Sequence, residues 1–136
     1  MKSSVRILLL EDDQIEIMKF ERVIQLVDAS YHVQIAKNGE EALDYLQTCH
    51  LLPNLILLDL NMPKFSGIEF LKALKKHEKW YHIPCVVLTT SDNNVDLLEC
   101  YREGIAGYFL KPLRYNEYVE LIHMLLNYWN KSLTVK

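Results

Sequence analysis

The residues of this chain with most chemistry to offer fall in four short stretches: Glu11-Asp12-Asp13, Asp59, Thr89-Thr90 and Lys111-Pro112. Each follows directly on an apolar run, respectively ILLL, LILL, VVL and YFL. An acid is ordinary on a surface, but an acid at the end of a run that could cross a core has been delivered there by a strand. In open parallel sheets, ligands bind beyond the carboxyl ends of the strands, where loops and helix amino termini converge. The four stretches then point an acid pair, a lone acid, a hydroxyl and an amine at one edge.

If the strands ending at 10 and 58 are neighbours, Glu11, Asp12 and Asp59 crowd together. Like charges that close cannot all stay ionised unless a cation joins them. Magnesium fits such a site, because it takes oxygen ligands, keeps several waters and uses one or two carboxylates. No histidine or cysteine lies beside these stretches, which argues against zinc or copper. Asp59, set between a metal and Lys111, becomes a candidate nucleophile toward phosphorus. Charge developing on phosphoryl oxygens calls for a metal, an ammonium and hydroxyl donors, and Glu11, Asp12, Thr89 and Lys111 supply that set.

The elements that must position these groups follow from periodicity. Strands are expected at Val5 to Leu10, Tyr31 to Ala36, Leu55 to Leu58, Pro84 to Leu88 and Ala106 to Leu110. Helical spacing covers Gln14 to Val27, Gly39 to Cys49, Gly67 to His77, Val95 to Glu103 and Tyr115 to about Asn130. Strand and helix alternating throughout predicts a parallel sheet with right-handed crossovers and helices on both faces. Strands one and three lack polar alternation, as strands covered on both faces do. Strand two alternates more, which marks it for an edge. Breakers fall at Asn38-Gly39, Pro53, Met62-Pro63, Ser66-Gly67 and Gly104.

Composition narrows the class. The 136 residues are 50% hydrophobic and 24% charged with net charge −3, ordinary for one globular domain. Three cysteines at wide spacings make neither a disulfide framework nor a zinc site, and they read as packed thiols. The basic cluster Lys72, Lys75, Lys76 and Lys79 is interleaved with acids and aromatics, so it reads as a solvated helix face and no nucleic-acid partner is expected. No apolar run approaches the roughly 20 residues of a membrane span, and the Met-Lys-Ser-Ser start has no signal-peptide pattern. No membrane association and a cytoplasmic location are expected.

Taken in order, ILLLEDD, LILLDLNMP, VVLTTS and YFLKPL resemble the receiver domain of two-component response regulators, over about residues 5–130. The resemblance implies a flavodoxin-like (βα)5 fold, a doubly wound parallel sheet of strand order 2-1-3-4-5. It implies a receiver that catalyses only its own phosphorylation and dephosphorylation, and with only Ser132 to Lys136 after the fifth helical stretch a single domain over 1–136 without an output domain is expected. Asp59 would be the phosphoacceptor, served by a sensor histidine kinase or a phosphotransfer protein. Asp12 would bind magnesium directly, Glu11 largely through water, and the backbone carbonyl of Asn61 would complete the contacts with Asp59. Asp13 falls one place past the acid pair and is a flank. Lys111 would contact the phosphoryl group, with a cis peptide before Pro112. Thr89 would hydrogen-bond the phosphate while Tyr108 turns inward, so that phosphorylation shifts a population between two forms. Asn61 and Ser91 would line the path of the attacking water, small neutral groups consistent with an intermediate phosphoryl lifetime. The wording LLEDDQIEIMKF and the KKHEKWYHIP loop are similar to single-domain regulators of the cyanobacterial phytochrome type.

Helix five carries a second apolar stripe. Tyr118, Ile122, Leu125, Leu126 and Trp129 share one face, and Leu121, Met124 and Tyr128 recur on another. The second stripe is expected to meet a partner, and the family resemblance points to a homodimer through helix 4, strand 5 and helix 5. A flavin-binding protein of similar architecture would need a phosphate cradle where Glu11, Asp12 and Asp13 would repel one. A phosphatase using Asp59 would want a second acid where Asn61 stands. A degenerate receiver acting only by docking is disfavoured because every catalytic position is filled.

Overall fold

The computed structural model describes residues 5–27 and 31–135; the Met-Lys-Ser-Ser start lies outside them. Strands β1 (Val5–Leu10), β2 (Tyr31–Ala36), β3 (Leu55–Leu58), β4 (Cys85–Thr89) and β5 (Gly107–Leu110) alternate with helices α1 (Gln14–Leu26), α2 (Gly39–Thr48), α3 (Gly67–Lys76), α4 (Asn94–Arg102) and α5 (Tyr115–Lys131). All strand pairs are parallel, in the order β2-β1-β3-β4-β5. The doubly wound order expected from the sequence is the one observed, with β2 at an edge.

Alternate residues of the central strands feed two cores. Leu8, Leu10, Ile56, Leu58, Cys85 and Val87 pack under α2, α3 and α4 with Phe70, Leu71 and Leu74. Ile7, Leu9, Leu55, Leu57, Val86 and Leu88 pack under α1 and α5 with Phe20, Val23, Tyr118 and Ile122. Burial on both faces explains the unbroken apolar runs of β1 and β3, each large side chain contributing about 1.5–3 kcal/mol. The edge strand β2, by contrast, alternates between half-buried and exposed residues. Trp80 is buried and stacks on His77 at 3.6 Å, anchoring the loop after α3, while Tyr81 stays exposed. Cys85 and Cys100 are buried thiols and Cys49 is half-buried.

Four helices start on side-chain caps that satisfy an orphan amide. Asp13 accepts from the Ile15 amide at 2.9 Å, Asn38 from Glu41 at 2.9 Å and Asn93 from Val95 at 2.8 Å. Ser66 and Glu69 form a reciprocal capping box at the start of α3. Gly67, directly after that cap, is dictated by space. A Cβ there would sit 2.5 Å from the Asp59 carbonyl oxygen and 2.8 Å from the Leu60 Cα, so α3 begins hard against the backbone that carries Asp59.

Candidate functional site

The parallel ladders run one residue past the strands and fix where the polar side chains begin. The Glu11 amide donates to the Ala36 carbonyl at 3.0 Å, Asp59 to Leu10 at 3.1 Å and Lys111 to Thr89 at 2.8 Å. Glu11, Asp59 and Lys111 are thus held by main-chain bonds at the carboxyl edge, each beside the strand next to its own. Thr89 closes β4 with its side chain wholly buried.

Their side chains meet. One carboxylate oxygen each from Glu11, Asp12 and Asp59 lies within 4.8 Å of the others. The Lys111 Nζ donates to Glu11 Oε1 at 2.6 Å and to Asp59 Oδ2 at 3.3 Å. The second Asp59 oxygen accepts the Asn61 main-chain amide at 3.2 Å. Glu11 and Asp59 are buried while Asp12 and Asn61 are exposed, so the cluster opens to solvent on one side.

Burial pushes the Glu11 carboxyl up to about 6; the Lys111 ammonium pulls it back and neighbouring Asp59 adds to the rise. Burial works against the Lys111 ammonium, but its bonds and attraction to Glu11, Asp59 and Glu16 outweigh it and hold its pKa above the ordinary lysine value. The amine is therefore a fixed cation at neutral pH. Lys111 is the ammonium bonded into a cluster of three carboxylates, Glu11, Asp12 and Asp59, which leaves the excess of negative charge that a divalent cation would cancel. The donors are all oxygen and one side is open, so the arrangement fits a hard cation such as magnesium.

Thr89 and Tyr108 are joined through Ser91. The Ser91 amide donates to Thr89 Oγ1 at 3.3 Å, and the half-buried Tyr108 hydroxyl donates to the Ser91 carbonyl at 2.7 Å. The Ser91 hydroxyl is engaged by Asp96 of α4 at 2.9 Å. Ser91 is therefore tied into the start of α4, a role its small size does not announce.

Three expectations need correcting or refining. No peptide bond among the described residues is cis, so the Lys111-Pro112 bond is trans, the form even prolyl bonds favour. Leu121 is half-buried against the core under α1 and α5, leaving Met124 and Tyr128 as the exposed part of the second stripe on α5. Asp13 is the cap of α1, and its amide also donates to Glu11 Oε2 at 3.2 Å. Sequence reasoning missed Glu16, whose Oε2 lies 4.0 Å from the Lys111 Nζ. Its position on α1, one turn past the cap and on the side of the sheet, was the available signal.

The sequence matches the response regulator receiver domain over residues 7–123. It is 34% identical over 127 residues to the probable methanogenesis regulatory protein FilR2 of Methanothrix harundinacea, covering 90% of this chain and 82% of that protein. It is 31% identical over 134 residues to the response regulator Rcp1 of Synechocystis sp., covering 95% of this chain and 91% of that one. Among solved structures, the phosphorylated cyanobacterial phytochrome response regulator RcpA superposes with a TM-score of 0.91 at 28% identity, over 97% of this chain and 98% of that one. The Mn2+-bound form of Rcp1 gives 0.88 at 30% identity, over 97% and 99%.

Proposed function

This chain belongs to the response regulator receiver family, and from that premise we propose that it accepts a phosphoryl group on Asp59 from a phosphohistidine of a sensor histidine kinase or phosphotransfer protein. The observation that carries the reading is the buried Asp59 carboxylate beside both the Lys111 ammonium and the Glu11 and Asp12 oxygens. An Asp59 oxygen attacks phosphorus as the bond from phosphorus to the donor's imidazole nitrogen breaks, and the electron pair leaves with that nitrogen. Lys111 would draw a phosphoryl oxygen by charge, and the Thr89 hydroxyl by a hydrogen bond. Glu11, Asp12 and Asp59, with the Asn61 carbonyl, would hold magnesium. The ion, when bound, supplies positive charge toward the phosphoryl oxygens. Supporting parallels are a relative known in a Mn2+-bound form and a neighbour known in a phosphorylated one.

Once Thr89 turns to a phosphoryl oxygen, its bond from the Ser91 amide is disturbed, and Ser91 is bonded in turn to Tyr108 and Asp96. That route leads to α4 and β5, where the signal would be read by a partner or by a second copy of this chain. Exposed apolar residues support this surface: Leu98, Tyr101, Met124 and Tyr128 are each about half exposed or more. Asn61, whose amide is bonded to Asp59, and Ser91, two residues past Thr89, are small neutral groups that would line the path of an attacking water and give the acyl phosphate an intermediate lifetime.

Incubation with magnesium and a small acyl phosphate, followed by intact mass, tests the reading. The expected result is a gain of one phosphoryl group that disappears in Asp59→Ala and with chelator. No gain, or an equal gain in the variant, would overturn it.

A further inference from the structure

Resting on that reading of the metal cluster, we propose that Glu16 is a positioning residue for Lys111: it offers the ammonium an alternative seat, so that Glu11 and Asp59 can turn to a divalent cation. Two demands fall on the same oxygens. Glu11 Oε1 is taken by Lys111 at 2.6 Å and Asp59 Oδ2 at 3.3 Å, yet these residues form the cluster a cation would enter. A cation competing for them displaces the ammonium. The Lys111 side chain is only 8% exposed, so it cannot simply swing into water. A buried ammonium stripped of its acceptors is costly.

Glu16 resolves the conflict. Its Oε2 is buried, has no hydrogen-bond partner among the described residues and stands 4.0 Å from the Lys111 Nζ. Closing that gap to the usual charge-assisted length takes a shift of about 1 Å. A cavity of about 10 Å³ lined by Glu11, Glu16, Asp59, Lys111 and Tyr118 gives the ammonium room for it. The receiving oxygen is also held ready. Glu16 Oε1 is bound by the Lys19 Nζ at 3.1 Å, and that ammonium lies 4.6 Å above the ring of buried Tyr118. The Asp13 cap fixes the turn of α1 that carries Glu16.

An acid near a cation site also helps merely by its charge, so the test must separate seat from charge. Magnesium affinity is measured by isothermal titration calorimetry on the whole chain, without phosphodonor, for wild type, Glu16→Gln, Glu16→Asp and Asp13→Asn. Asn caps a helix as well as Asp does, so Asp13→Asn removes one exposed acid beside Glu11 without touching Lys111. Glu16→Gln should weaken magnesium binding about fivefold, clearly more than Asp13→Asn, as the loss of one ion pair at the upper end of the usual range would. Glu16→Asp keeps the charge with a shorter reach and should fall between wild type and Glu16→Gln. Magnesium affinity of Glu16→Gln equal to wild type or to Asp13→Asn overturns the seat while leaving the metal cluster standing. A wild-type chain that takes up no magnesium brings down the cluster reading itself, and this inference with it.

Discussion

The carboxyl edge of the sheet and the face formed by α4, β5 and α5 share β5, yet they are built on opposite terms. At the edge, polar groups are buried: Glu11 is 3% exposed, Asp59 7% and Thr89 0%, and each is bonded inside the chain. On the face, apolar groups are exposed, with Tyr128 at 63% and Met124 at 49%. The edge stores its cost internally, as crowded charge held by one ammonium. The face leaves its cost to the solvent, where a second molecule could relieve it. Changes at the edge should therefore register in the chain's own stability and chemistry, and changes on the face in its association.

The largest effect should come from Lys111→Met. Removing one partner from a buried charged cluster typically costs about 3–5 kcal/mol, which for a chain of this size lowers Tm by on the order of 10 °C. In chelator the variant should melt well below wild type, with Glu11 lifted further above its present value of about 6. Magnesium should recover more stability in the variant than in wild type, because the ion restores the missing positive charge. A variant as stable as wild type in chelator would mean that the edge is not held by its charges.

Gly67→Ala probes the same edge by shape. Its new Cβ would press on backbone, the Asp59 carbonyl and the Leu60 Cα, which cannot give way as a side-chain end can. Overpacking of this kind costs about 1–3 kcal/mol. Phosphorylation should slow as well, because the backbone that must move carries Asp59. Intact-mass time courses alongside melting curves check both, and an unslowed reaction would show that the loop tolerates the shift.

How far these two regions could be read beforehand differs for a physical reason. Glu11, Asp59 and Lys111 were legible because a residue directly after a buried strand has its position set by the ladder, with Asp12 next along the chain and Thr89 closing β4; alternation of elements gave a parallel sheet, and the order of its strands came from the family resemblance. Glu16 was not legible, since its meeting with Lys111 depends on how α1 leans over the sheet and on side-chain reach. The Ser91 bonds to Asp96 and Tyr108 were hidden for the same reason: they join three elements through small groups. Leu121 misled because helical spacing separates faces of a helix without saying how wide the core beneath it is. The cis bond expected before Pro112 came from likeness rather than from any local signal, and the chain has a trans bond there.

The pH dependence of stability sharpens the edge further. A carboxyl raised from 4.5 to about 6 holds its proton more tightly in the folded chain than in the unfolded one. Its contribution is therefore fully present below about pH 4.5 and is lost as pH rises through about 6, a change of about 2 kcal/mol at most. The Tm of wild type minus that of Glu11→Gln, followed in chelator, should decline by a few degrees across this window. A flat difference would return Glu11 to the ordinary carboxylate range.

The face should give the smallest effect on the folded chain and still be decisive about association. Met124→Ser with Tyr128→Ser replaces two exposed side chains on α5, so stability should change by no more than about 0.5 kcal/mol for each. Phosphorylation of Asp59 should proceed at the wild-type rate, since neither residue lines the acid cluster. If copies of the chain meet through this surface, sedimentation of wild type should show dimers that dissociate on dilution, and the double variant should stay monomeric at the same concentrations. Measuring both with and without the acyl phosphate then asks whether the bonds from Thr89 through Ser91 to Tyr108 carry anything outward. Association that strengthens on phosphorylation in wild type, and not in Thr89→Val, would join the two regions by that route. A wild-type chain monomeric throughout would leave the face to a partner of another kind and remove the homodimer from the reading.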